Sequence, residues 1–124
     1  EEGKMAKYSE FERIKLAVGD WTLTRDGKLV DNRKTVVLTA KRLGVLRKRE
    51  RDETRGVVQW LFYARGGRLL VLEYKWSLIR GETEVATLYD IDVPDLCDGG
   101  RFAELGEAVG LSDWFRLDGY EQWP

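Results

Sequence analysis

The chain has 124 residues and a formal net charge of −1, from 21 Lys and Arg against 22 Asp and Glu. That length accommodates one domain, and 43% hydrophobic with 35% charged residues is a globular composition. Histidine is absent and Cys97 is the one cysteine, which excludes a triad with a histidine base, a His- or Cys-rich zinc site and an intrachain disulfide. We therefore expect a single domain over residues 1–124 that holds no cofactor and no metal.

The beginning of the chain lacks the features of a targeting segment. Residues 1–15 are charged throughout and contain no apolar core of a signal peptide. No apolar run approaches the ~20 residues of a membrane-spanning helix. Met5 is interpreted as the native start, with residues 1–4 derived from a vector or belonging to a longer chain. The protein is expected to be cytoplasmic with no membrane partner.

The first half of the chain reads as strands separated by turn signals. Alternation over residues 8–18 predicts a half-buried strand, Gly19-Asp20 is expected to end it, and residues 21–24 read as a second short strand. The β-branched residues of 35–45 predict a third strand. Its polar continuation, residues 46–55, is interpreted as a protruding arm, a loop or an exposed extension of that strand.

The middle of the chain predicts an antiparallel meander. Residues 57–64 are apolar on both faces, which is typical of a central strand covered on two sides. Residues 68–79 and 82–91 alternate as strands, and the connecting turns are too short for crossovers. Tyr74 and Trp76 continue an apolar face, which favours core positions, with a platform for stacking nucleic-acid bases as the alternative.

The last part predicts a helix and a packed tail. Residues 101–109 place Phe102, Leu105 and Val109 on one stripe, and the aromatic residues of 112–124 indicate that this tail packs onto the domain. The predicted fold class is α+β. It consists of a curved antiparallel sheet of five or six strands over residues 11–92, a meander or a partly closed barrel, with the C-terminal helix and tail of 98–124 packed on it.

The near-neutral net charge conceals a strong asymmetry along the chain. Residues 1–81 carry 19 basic and 11 acidic side chains, a net of +8, whereas residues 82–124 carry 2 and 11, a net of −9. The densest basic stretch is 41–55, with seven basic and three acidic residues. Such asymmetry points to a charged partner, unless the acidic part folds over the basic part and the charges compensate internally.

The leading interpretation is a non-enzymatic binding module that associates with a protein or nucleic-acid partner through complementary charge. Self-association, through opposite charges or an exposed sheet edge, is a companion hypothesis that would make the protein a homo-oligomer. The predicted contact residues are the seven cations of the basic segment, Lys41, Arg42, Arg47, Lys48, Arg49, Arg51 and Arg55.

Two short motifs support alternative functions. Glu73 and Lys75, after an apolar strand, are similar to the second half of the PD-(D/E)xK nuclease motif, in which the carboxylate holds a metal ion. The neighbouring strand offers only Gln59 where that motif has an Asp. Gly19-Asp20-Trp21 resembles the Gly-x-Trp signature of lipocalin-like barrels, which implies a small-ligand cavity inside a closed sheet.

The order of several short strings resembles the bacterial EXLDI proteins, of actinobacterial type, over about residues 11–96. The strings are Ile14-Lys15-Leu16-Ala17-Val18-Gly19, Arg42-Leu43, Tyr63 to Arg68 with one extra Gly, Gly81-Glu82 and Leu88-Tyr89-Asp90. The Glu-x-Leu-Asp-Ile motif itself is absent, the nearest string being Tyr89-Asp90-Ile91-Asp92, and no ribbon-helix-helix precedes the sheet. The resemblance implies a bacterial source and this order of elements, and no established activity.

Overall fold

Six strands and one short helix make up the computed structural model, which describes residues 10–110. The predicted packed tail of 112–124 lies outside the described residues. The elements are β1 Glu12–Leu23, β2 Leu29–Asp31, β3 Lys34–Arg49, β4 Arg55–Ala64, β5 Arg68–Ser77, β6 Thr83–Ile91, a 3₁₀ turn at Val93–Leu96 and α1 Ala103–Ala108.

The strands form one antiparallel sheet that closes on itself. The strand order is β2-β1-β3-β4-β5-β6, and the second half of β1 pairs in addition with β6, from Gly19 opposite Ala86 to Thr22 opposite Thr83. This pairing closes β1, β3, β4, β5 and β6 into a ring, and β2 is added beside β1. The meander of β4, β5 and β6 and the partly closed barrel are thereby confirmed, and the six strands agree with the predicted five or six.

Gly19 does not end the first strand, contrary to the sequence-based prediction. β1 pairs with β3 up to Val18 and with β6 from Gly19 onward, so the glycine lies where the strand changes partners. Its φ of 130° is open to glycine and strained for other residues, and a Cβ there would lie 2.7 Å from the carbonyl oxygen of Asn32. The predicted separate strand at 21–24 is therefore the continuation of β1, and the short strand nearby is β2.

The core has an inner and an outer part on the two faces of the sheet, which confirms that β4 is covered on both sides. The inner cluster fills the ring and consists of Ile14, Leu16, Ala40, Phe62, Ala64, Leu70, Leu72 and Ala86. The outer cluster lies beneath the C-terminal elements and consists of Leu43, Leu61, Leu69, Val71, Ile91, Leu96, Phe102 and Leu105.

The C-terminal helix is shorter than the predicted 101–109, yet it packs with the predicted stripe. Phe102 and Leu105 are buried and Val109 packs against the same cluster. A β-bulge in β3 places Gly44 beneath the helix end, where an added Cβ would lie 2.2 Å from Val109 Cγ1, so the missing side chain permits the close approach. Among the described residues, no helix has the length and apolar character needed to cross a bilayer.

Candidate functional site

The seven cations predicted to contact a partner fall into two groups. Lys41 and Arg42 lie beside the start of β1, where the Lys41 Nζ is 5.2 Å from the Phe11 ring centroid and the Arg42 Nε is 3.3 Å from Glu12 Oε2. Leu43, which follows them, is buried under the helix. The remaining five cations lie at the far end of β3, in the turn to β4 and at the first residue of β4, so the predicted segment is not one continuous surface.

The end of the β3–β4 hairpin forms one wall of a groove of about 500 Å³, here called the cationic groove. Lys48, Arg49 and Arg55 of the predicted segment line it together with Lys75. The register brings Lys75 there because Lys48 lies opposite Val57 on β4, and Val57 lies opposite Lys75 on β5. The groove also includes Glu50, Gly56, Val57, Trp76, Ser77, Glu82 and Thr83.

Several cations of this hairpin are neutralised by neighbours. Lys48 pairs with Glu104 of the helix, and Arg49 Nη1 lies 3.3 Å from Glu53 Oε1. Both pairs are solvent-exposed, and such pairs contribute only about 0–1 kcal/mol, so a stronger anion can displace them. Arg47, Arg51 and Lys75 are exposed and form no ion pair within residues 10–110.

The acidic part of the chain compensates some of the basic charge. Glu82 pairs with Arg55, Asp90 lies 2.7 Å from Arg68 Nη2, and Glu104 pairs with Lys48. These three pairs join residues from the two differently charged parts of the sequence. Internal compensation therefore accounts for a portion of the asymmetry and leaves the cations at the hairpin tip available.

Arg55, the first residue of β4 after the hairpin turn, is held more firmly than the other cations. Its Nε donates to Glu82 Oε1 at 2.9 Å and its Nη2 donates to the other carboxylate oxygen. Ser77 Oγ also donates to Glu82 Oε1, at 2.5 Å. The Arg55 hydrogen bonds, followed by that of Ser77, lower the pKa of Glu82 to about 2. We assign Arg55 a structural role, because this pair ties the start of β4 to the β5–β6 turn.

The Arg55–Glu82 pair predicts a loss of stability in acid. Because the pKa of Glu82 falls from its ordinary 4.5 to about 2 on folding, the pair stabilises the protein fully above about pH 4.5. That contribution is lost as the pH falls toward 2. Urea unfolding between pH 2 and 7 should show a smaller acid dependence in Glu82→Gln than in the wild type. Identical acid dependence in the two proteins would contradict this assignment. Glu107→Gln, on the exposed helix face, is the control and should keep the acid dependence of the wild type.

The geometry around Glu73 gives little support to the nuclease alternative. Gln59, which is buried, donates from Nε2 to Glu73 Oε2 at 2.7 Å. The residues opposite Glu73 on its two neighbouring strands are Gln59 and Thr87, so no second carboxylate lies beside it in register. Among the described residues, no group of three or more potential metal ligands is found. Lys75, the other member of the motif, instead lines the cationic groove.

The interior of the ring carries a small cavity, as the barrel alternative requires. Its volume is about 200 Å³, and Trp21, Trp60 and Tyr74 contribute its aromatic lining. Pockets for drug-sized ligands span about 300–1,000 Å³, so this cavity is small for such a site. Tyr74 packs against the inner core, which confirms its predicted core position, while Trp76 is half-buried in the wall of the cationic groove.

Comparison with known proteins finds no matching protein-family model, no similar curated protein and no similar solved structure. The resemblance to EXLDI proteins accordingly stays a prediction. Function has to be inferred from the surfaces of the chain itself.

Proposed function

We propose that the protein binds nucleic acid, without sequence preference, through the cationic groove and the adjoining tip of the β3–β4 hairpin. The observation that carries this proposal is the convergence of Lys48, Arg49 and Lys75 on one groove beside the exposed Arg47 and Arg51. Neutralisation of phosphates by Lys and Arg, with release of the counterions that surround nucleic acid, drives binding of this kind.

The types of cation favour phosphate as the bound group. Arg47, Arg49 and Arg51 carry planar guanidinium groups, which present paired donors that match phosphate oxygens. Lys48 and Lys75 add point charges in the same region. Thr83, which also lines the groove, contributes a hydroxyl group of the type that contacts nucleic-acid backbones. An acidic protein is the alternative partner, and it offers fewer charges per unit length than a nucleic acid.

The position of the unpaired cations also favours an extended partner. Arg47 lies opposite Val58 on β4, whereas Arg51 lies in the turn beyond the last paired residue of β3, so their charges follow the length of the hairpin. A polyanion can contact such a row and the groove at once. A small anion would occupy the groove alone, and the hairpin tip would then add nothing to its binding.

Charge reversal of the hairpin tip tests the proposal. Binding of a short labelled DNA duplex and of a single-stranded RNA, followed by fluorescence anisotropy, should be detectable at low salt and weaken steeply as salt is added. Arg47→Glu with Arg51→Glu should weaken binding at 50 mM salt by at least about tenfold, since contacts to two phosphates are replaced by repulsion. The slope of log K against log salt should also become shallower.

The matched control reverses the same number of charges elsewhere. Arg13→Glu with Lys15→Glu alters two exposed cations of β1 and changes the net charge identically. If both double variants lose equal affinity, the wild type binds through its overall field and not through the hairpin. If the wild type binds neither nucleic acid at low salt, the proposal is wrong and an acidic protein becomes the partner to test.

A further inference from the structure

A second groove, of about 410 Å³, lies between the end of β1 and the β5–β6 turn, and is here called the apolar groove. Its lining includes Trp21 and Leu23 from β1, Leu78 and Ile79 from the turn, and Glu84 from β6. The volume falls within the range of small-molecule sites. It adjoins the cationic groove, with which it shares Ser77 and Glu82.

The rim of the apolar groove exposes large hydrophobic side chains. Leu78 is 74% exposed, Leu23 40% and Ile79 38%. Apolar residues gathered around a concave site, unlike those scattered singly over a surface, are typical of a binding surface. The groove therefore offers an apolar contact to a ligand that is at least partly hydrocarbon.

Glu84 places a buried carboxylate in the lining of this groove. It is only 9% exposed. Tyr74 O–H donates to its Oε1, and the Ser77 N–H donates to its Oε2 at 3.3 Å. Burial, followed by the hydrogen bond and the charge of Glu84, raises the pKa of Tyr74 to about 12. A carboxylate accepts about four hydrogen bonds, so two neutral donors leave acceptor positions unused.

No cation among residues 10–110 forms an ion pair with Glu84. Arg33, whose charge interacts with that of Glu84, forms its hydrogen bonds with Asp31 instead, through Nε at 2.9 Å and Nη2 at 2.7 Å. Arg80 also lines the groove, and its Nη2 lies near Gly27 in the β1–β2 turn, 3.9 Å from where an added Cβ would be. Buried charges in proteins are ordinarily paired, so a buried carboxylate with neutral donors alone fits an external cation.

We propose that the apolar groove binds a small aliphatic amine, with its ammonium group at Glu84 and its hydrocarbon chain along Leu23, Leu78 and Ile79. An ammonium group supplies three donors and one positive charge, which complement the unused acceptor positions and the charge of Glu84. The exposed leucines then cover the alkyl chain. Glu84, Leu23, Leu78 and Ile79, which would contact the amine, do not line the cationic groove, so either proposal can fail while the other stands.

The probe is n-hexylamine, which is protonated at pH 7, added to the full chain and followed by calorimetry. Hexylammonium should bind about tenfold or more tightly than hexanol, which has the same chain and no charge, because hydrogen bonds to charged groups are the stronger ones. Hexanoate should show no binding, since its carboxylate would meet Glu84. Equal affinity for hexylamine and hexanol, or no binding of hexylamine, overturns the proposal.

Two variants separate the charged contact from the apolar one. Glu84→Gln should lower hexylamine affinity to that of hexanol and leave hexanol binding unchanged, whereas Leu78→Ser should weaken both ligands alike. Leu78 is exposed, so that variant keeps the fold even if Glu84→Gln lowers stability. Glu107→Gln removes an exposed acid of the helix and should leave both affinities unchanged. Unchanged hexylamine binding in both Glu84→Gln and Leu78→Ser would overturn the site.

Discussion

Leu61→Ala is expected to lower the free energy of unfolding by about 2–5 kcal/mol, measured by urea or thermal unfolding. Leu61 has no exposed surface and lies in the outer cluster between the sheet and Leu105 of the helix. Truncation removes its buried methyl groups and leaves a cavity that close-packed neighbours on both sides cannot fill. A loss of this size is a large part of the stability of a small domain.

The same substitution at an exposed site provides the control. Leu78→Ala removes the same atoms from a side chain that is 74% exposed, so its effect should stay within about 0.5 kcal/mol. Because both variants lose the same atoms, the difference between their losses in free energy of unfolding measures the effect of burial. Similar losses at the two positions would show that Leu61 is not buried between sheet and helix.

Gly19→Ala should destabilise the protein by at least about 2 kcal/mol and weaken the pairing of β1 with β6. An alanine there has to adopt a φ of 130°, and its Cβ would lie 2.7 Å from the carbonyl oxygen of Asn32. Backbone of the neighbouring chain segment has to move to relieve that contact. Hydrogen exchange should report it as faster exchange of the amides of residues 19–22 and 83–86, which join the two strands.

Gly66→Ala separates backbone strain from steric overlap. Gly66 also has a positive φ, of 99°, but no heavy atom lies within 4 Å of the position of an added Cβ. Gly66→Ala should lower the free energy of unfolding by about 1 kcal/mol, from the φ value alone. Hydrogen exchange of the amides that join β1 and β6 should be unchanged. If the two alanine variants behave identically, contact with Asn32 plays no part in ring closure.

Local sequence patterns predicted the elements whose partners are close along the chain. The alternation in β4, β5 and β6 and their short turns gave the meander, and apolar residues on both faces of β4 gave the two-sided core. The stripe of Phe102, Leu105 and Val109 likewise identified the helix and its packed face. In each case the periodicity reports directly which side of an element is buried.

Pairings between strands that are distant in sequence could not be predicted from such local patterns. Nothing in the alternation of β1 indicates that its second half pairs with β6, and a glycine followed by an aspartate reads as a turn unless that pairing is known. Lys75 joins the cationic groove through the register of β5, which lies far from residues 41–55 in sequence. Glu84 lies opposite Trp21 through the register of β6, which lies far from β1 in sequence. The available signal for the second site was that Glu84 alternates with Ala86 and Leu88 on the face of β6 that meets the inner cluster.

Ring closure also sets an order of events for the folding of this chain. The hairpins β3–β4, β4–β5 and β5–β6 join residues that are neighbours across short turns, and these contacts form after little loss of chain entropy. The pairing of Gly19 with Ala86 joins β1 to β6 and has to wait until the intervening strands are in place. Such non-local β pairings are associated with folding times of milliseconds to seconds. Until the ring closes, the edges of β1 and β6 are unpaired. At high protein concentration, these edges are where two folding copies would pair with each other.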